Sequence, residues 1–187
     1  MKNSKMKYQK FSYFKEPISN TRPFENITLA DAYRAITSDY LKVPTLQLRS
    51  ISEKDENRRF KATHFPYVCF SGTFSKRNEK ALIKHSGLIA IDFDHLEDVE
   101  KTKLQLLKDP YIITELLFVS PNGKGLKWIV SIDISDEFPH GKMFLAIYNY
   151  IKDTYSIEAD RACKDVSRAT FLCYDPEAFI RPKYFIQ

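Results

Sequence analysis

The chain has 187 residues, enough for one domain with a sizeable core. Hydrophobic residues make up 43% and charged residues 28%, a balance that excludes a chain disordered throughout. Lys and Arg number 29 against 24 Asp and Glu, giving a net charge of +5 and a field that favours anionic partners such as nucleic acid.

Cys69, Cys163 and Cys173 are far apart and form no Cys-x-x-Cys pair, which argues against a disulfide framework or a structural zinc site and fits a reducing compartment. The longest apolar run, Tyr111 to Val119, is too short for a bilayer and carries Glu115. The Lys-rich start lacks the apolar stretch of a secretory signal, so a cytoplasmic protein with no membrane partner is expected.

Residues 1–20 interleave Lys2, Lys5, Lys7, Lys10 and Lys15 with Tyr8, Phe11, Tyr13 and Phe14. That suits a basic aromatic arm on a phosphate backbone or a strand packed on the core, and the aromatic spacing favours the strand. Thr28 with Asp31 three residues on forms an N-cap pattern for a helix to about Leu41. Residues 1–45 thus read as an extension and first helix packed on the core, and 46–187 as the main domain.

Leu46 to Ile51 alternates like a half-buried strand, and Glu53 to Arg59 reads as a charged loop. Tyr67 to Phe70 is a short buried strand stopped by Ser71-Gly72-Thr73, and Lys76 to His85 reads as a helix carrying Arg77, Lys80 and Lys84. With the strand that follows, this predicts a parallel crossover unit.

That following strand, Ser86 to His95, ends in two carboxylates. Side chains alternate along a strand, so Leu88, Ala90, Asp92 and Asp94 share one face while Ile89, Ile91 and Phe93 share the other. Two like charges at the end of a buried strand are most simply held ionised by a cation, and an oxygen-only site suits Mg²⁺ or Mn²⁺. The other reading is a strand that runs into solvent through an acidic turn.

Val99 to Leu107 has helical spacing and stops before Asp109-Pro110. Leu116 to Val119 and Leu126 to Ile132 are strand-like and joined by a hairpin turn, Phe138 to Tyr155 is the longest helical pattern, and Ala169 to Tyr174 is a closing apolar strand. The order predicts an α+β fold, a mixed β-sheet covered by helices.

Two further constellations carry candidate chemistry. In Ser120-Pro121-Asn122-Gly123-Lys124-Gly125-Leu126-Lys127 the glycines allow close backbone approach while Ser120, Asn122, Lys124 and Lys127 offer polar and cationic groups, a cradle for a triphosphate or a plain hairpin turn. It is not a Walker A loop, since no Gly-Lys-Ser/Thr precedes a helix. Farther on, Asp160 offers a third carboxylate and Arg168 a phosphate fork, or Asp165 and Arg168 pair locally.

Taken in this order, Phe70 to Phe74, His85 to His95, Ser120 to Lys127, and Asp160 to Arg168 with Tyr174-Asp175-Pro176 resemble the VirE-type N-terminal domain of Bacteroidetes and mobile-element proteins. That domain is similar to the primase-polymerase superfamily. The resemblance implies an RRM-like catalytic core in which Asp92, Asp94 and Asp160 bind two metal ions and catalyse nucleotide transfer from a nucleoside triphosphate onto a DNA-directed strand. Ser120, Asn122, Gly123, Lys124, Gly125, Lys127 and Arg168 would hold phosphates, and Lys76, Arg77 and Lys84 the template backbone. The family's phosphate-binding His falls at Lys127, where this chain has a permanent cation instead of an imidazole. A helicase domain in the same or another chain would be a partner. Two rival readings are a binding domain of the same fold without catalysis, and a metal nuclease using Asp92, Glu115 and Lys127.

Overall fold

Every residue of the strand Leu88–Phe93 is buried. Because its side chains alternate, that requires a covering layer on each face, and the molecule is built as those layers. Residues 9–185 are described by this computed structural model, so Lys2, Lys5, Lys7 and Tyr8 lie outside the described residues.

In chain order the elements are β1 (Phe11–Phe14), β2 (Glu25–Ile27), α1 (Leu29–Thr37), α2 (Lys42–Ser50), α3 (Lys54–His64), β3 (Tyr67–Cys69), β4 (Gly72–Phe74), β5 (Leu82–His85), β6 (Leu88–Phe93), α4 (Val99–Leu107), β7 (Thr114–Val119), β8 (Leu126–Ser131), α5 (His140–Tyr155), β9 (Thr170–Phe171) and β10 (Phe179–Ile180), with short 3₁₀ turns between some of them. One sheet runs β2-β1-β3-β9, a second runs β10-β7-β8-β6, and β4-β5 is a separate hairpin. The fold is α+β, as the order of elements predicts, and the pairings among the described residues are antiparallel.

The two faces of β6 open onto different cores. Leu88 and Ala90 join Leu116, Phe118 and Ile129 against Phe11 and Val68 of the first sheet and against Leu29, Ala32 and Ile36 of α1. Ile89, Ile91 and Phe93 join Leu117, Trp128 and Val130 against Phe144, Ile147 and Ile151 of α5. Phe14, Tyr67, Cys69 and Phe74 cover the outer side of the first sheet. Burying each such side chain contributes about 1.5–3 kcal/mol, so the sheet carrying Asp92 is held from both sides. Among the described residues no helix is long and apolar enough to cross a membrane.

Thr28 caps α1 as expected, its side chain accepting from the Asp31 amide while the Asp31 carboxylate accepts from the Thr28 amide. Three other expectations are corrected. Leu46 to Ile51 is no strand: it lies almost wholly in α2, where Leu41, Thr45 and Leu48 are buried at helical spacing and Leu46 is 55% exposed. Pro44 is tolerated there because first-turn amides lack intrahelical partners. Glu53 to Arg59 is not a loop but the start of α3, capped by the Glu53 carboxylate, which accepts from the Asp55 and Glu56 amides. Lys76 to His85 is not a helix. Its second half is β5, paired with β4 so closely that a Cβ on Gly72 would sit 2.4 Å from the Lys84 carbonyl oxygen. The parallel crossover therefore does not form, and β6 pairs with β8 antiparallel.

Candidate functional site

Asp92 on β6 lies opposite Lys127 on β8 in the strand register. Directly opposed residues project from the same face, and the Lys127 Nζ to Asp92 Oδ2 distance is 2.7 Å. Both are nearly enclosed, Asp92 at 3% and Lys127 at 8% exposure. Burial works against the lysine charge, but the Asp92 and Asp94 carboxylates outweigh it and hold the ammonium above the ordinary lysine pKa.

The end of β6 also fixes a distant segment. The Asp160 amide donates to the Asp92 carbonyl oxygen at 2.8 Å. Asp160 Oδ1 accepts from the Ala162 amide, capping the turn Arg161–Lys164, and Oδ2 accepts from Arg168 Nη2. That guanidinium nitrogen lies 4.0 Å from Asp92 Oδ2 as well. Lys127, Asp92, Arg168 and Asp160 thus form a row of alternating charge.

Potential ligand atoms of Asp92, Asp160 and Cys163 lie within 4.8 Å of one another. Asp92 Oδ1 is buried and has no hydrogen-bond partner, which leaves a hard oxygen open to a cation. Burial pushes the Cys163 thiol well above its usual pKa, so it stays protonated and soft, a poor partner for Mg²⁺. The residues therefore fit a hard divalent cation through the Asp92 and Asp160 oxygens, with waters completing its shell. Asp94 is exposed and stands outside this trio, although it lines the same cleft.

That cleft has a volume of about 790 Å³, and Asp92, Asp94, Lys127, Arg168, Arg77 and Lys61 are among its lining residues. Two recesses adjoin it: one of about 600 Å³ reaching Asn122 and Lys124, and one of about 160 Å³ between Asp94, Ser120 and Lys124. The 120–125 turn is thus accessible and beside the acidic strand end. Its shape is set by the Gly123 amide donating to the Ser120 carbonyl, the Leu96 amide donating to the Lys124 carbonyl, and Arg49 of α2 donating to the Pro121 and Ser120 carbonyls. Gly125 passes so near β6 that a Cβ there would stand 2.0 Å from the Phe93 carbonyl oxygen.

Of the residues expected to meet nucleic acid, Arg77 lines the cleft and stacks its guanidinium 5.1 Å from the Tyr67 ring centroid. Lys76 and Lys84 are exposed and do not line it. Arg49, Arg58 and Lys61 were not candidates from the sequence; the signal available was Lys54, Arg58 and Lys61 at i, i+4 and i+7, one face of a helix. Glu115 is fully buried and accepts from Lys183 Nζ at 2.8 Å and the Tyr184 hydroxyl at 2.9 Å. It serves the packing of the 181–184 segment and does not line the cleft, so it cannot join Asp92 and Lys127 in a nuclease set.

No curated protein and no solved structure matches the chain. A family model does, the BT4734-like, N-terminal domain, over residues 59–179, a span that holds Asp92, Lys127, Asp160 and Arg168 together with most of the cleft lining. On that match, the chain belongs to the BT4734-like N-terminal domain family.

Proposed function

We propose that this domain catalyses metal-dependent transfer of a nucleotide from a nucleoside triphosphate onto a nucleic acid strand, in the manner of the VirE-type and primase-polymerase domains that its motifs resemble. The observation that carries this reading is the meeting of Asp92 and Asp160, from distant parts of the chain, where Asp92 lines a cleft that also presents Arg58, Lys61, Arg77, Lys127 and Arg168. The buried Asp92 Oδ1 has no hydrogen-bond partner, and a cation bridging protein and phosphate would give it one.

Bound Mg²⁺ or Mn²⁺ would supply Lewis-acid stabilisation of the charge at the reacting phosphate. The chain's own groups do the rest. Asp92 and Asp160 present oxygen ligands, and Asp94 at the rim orients the incoming group. Arg168, held by Asp160, and Lys127, held by Asp92, face charge that builds on transferring phosphates. The 120–125 turn offers Lys124 and Asn122 to the distal phosphates.

The test is incorporation of labelled nucleotide on a primed or unprimed single-stranded template with Mg²⁺ or Mn²⁺. Asp94→Ala should lower incorporation at least a hundredfold with an unchanged melting temperature, since Asp94 is exposed. Full incorporation by that variant and by Asp92→Asn would end the proposal.

A second reading, a phosphate-binding domain without catalysis, is favoured by one observation. Lys127 already compensates Asp92, so the buried carboxylate does not depend on a metal for its neutralisation. Nucleic-acid binding that survives EDTA, with no incorporation under any metal, would select it.

A further inference from the structure

The sequence places Lys54, Arg58 and Lys61 at i, i+4 and i+7, and α3 puts them on one face. Lys54 lines the 600 Å³ recess, Arg58 lines both that recess and the 790 Å³ cleft, and Lys61 lines these two and the 160 Å³ recess. The three cations therefore connect the glycine-lysine turn with the acidic floor. Among the described residues none of them has a carboxylate within 4.0 Å. Lys61 is crowded by charge of its own sign: burial lowers its pKa, and Lys127 and Arg168 lower it further against the opposing pull of Asp94 and Asp92.

We propose that this face of α3 is the track along which the backbone of single-stranded nucleic acid enters the cleft. Seven residues of helix rise about 10 Å, farther than one phosphate reaches, so successive linked phosphates of one strand can meet the three cations in turn. A single phosphate or a compact metal complex cannot use all three cations. Where the track meets the cleft, Phe171 is half-buried in the lining, with Lys61 Nζ 5.9 Å from its ring centroid. An aromatic face beside a row of cations suits unstacked bases and their backbone. The cleft is of the size that holds one ligand of about nucleotide dimensions, too small for a duplex. The track rests on the proposed function only in taking nucleic acid as the ligand class.

The test uses the full chain and a fluorescein-labelled deoxythymidine 12-mer, with anisotropy read over a salt series in EDTA and without nucleotide. The Lys54→Gln, Arg58→Gln, Lys61→Gln variant should bind at least tenfold more weakly, with the slope of log K against log salt reduced by about two. Should half-buried Lys61 prove needed for folding, the Lys54→Gln, Arg58→Gln variant at two exposed sites should lower that slope by about one. Neutralising Lys101 of α4, Lys108 just past its C-terminus and Lys142 of α5 is the charge-matched control. Equal losses in control and track variants, or no loss in either track variant, would overturn the track. Stronger competition by inorganic triphosphate than by an unlabelled 12-mer at equal charge would also overturn it, in favour of a free-phosphate site. Because EDTA removes any metal, an inactive Asp92 and Asp94 pair leaves this measurement standing, and loss of the track leaves incorporation to be judged on its own.

Discussion

At the scale of single residues, the Asp92 and Lys127 pair is the most demanding feature of the molecule. Two enclosed opposite charges stabilise little relative to an apolar pair, but removing one leaves the other buried and uncompensated. Lys127→Ala should therefore cost about 3 kcal/mol in urea unfolding, near the low end for such a loss because Arg168 stands 4.0 Å from Asp92. Asp92→Leu with Lys127→Met should recover most of that stability while leaving the cleft without either charge. A double variant as unstable as the single one would mean that the pair contributes more than mutual neutralisation. The turn gives a second comparison. Gly123 has φ of +74°, where a side chain costs about 1–2 kcal/mol, and an added methyl group would press on the movable Arg49 side chain at 3.3 Å. At Gly125 the obstacle is backbone, the Phe93 carbonyl at 2.0 Å. Gly125→Ala should thus destabilise more than Gly123→Ala, by a margin of about 1 kcal/mol or more, and the reverse order would show that the turn relaxes away from β6.

At the scale of elements, β6 was legible because a short continuous apolar run, opened by Ser86-Gly87 and closed by acidic residues, reads as a strand buried on both faces. The β7–β8 hairpin and α5 were legible for similar reasons, a turn with two glycines and a long apolar stripe. α2 was not, since Leu46 and Leu48 alternate over too few residues to separate a strand from a helix, and tertiary packing chose Leu41, Thr45 and Leu48 as the inner set. α3 has no fully buried residue, so it carries no apolar stripe to read, yet it supplies the cations that the candidate site most lacked. β5 was obscured by Lys84 on a strand with no buried residue, and β4 by Gly72 and Thr73, which read as a turn. Within the site, Asp92 and Lys127 followed from local pattern, but their opposition depends on a register that no single segment specifies. The approach of Asp160 depends on a long-range backbone hydrogen bond and had no local signature.

At the scale of the whole molecule, a chain of polar contacts ties the hairpin β4–β5 to α5 and to the segment that bears Asp160. The Gly87 amide donates to His85 Nδ1 at 2.9 Å, which assigns the His85 proton to Nε2, and that N–H is 3.1 Å from His140 Nδ1. His140 Nε2 then donates to the Cys163 carbonyl oxygen at 3.3 Å. Each imidazole is used as donor and as acceptor, so neither can take a second proton without losing a contact. Burial lowers the His85 pKa to about 4, and the neighbouring His140 lowers it too. Burial likewise lowers His140, partly offset by the Cys163 carbonyl and the Asp165 carboxylate. Since the folded pKa values lie below that of an unfolded histidine, about 6.5, the contribution to stability is complete above that pH and is lost as pH falls toward about 4. Melting temperature should therefore decline over that interval, and His85→Gln should flatten the decline. An equal acid decline in that variant would place its origin in other groups.

Asp160 reaches the end of β6 through its main-chain amide, which donates to the Asp92 carbonyl. The anchor is common to every amino acid except proline, so what is delivered there is a location and not a particular functional group. Replacing that side chain should leave this tether in place while releasing the Arg168 guanidinium and the Ala162 amide that the carboxylate accepts from.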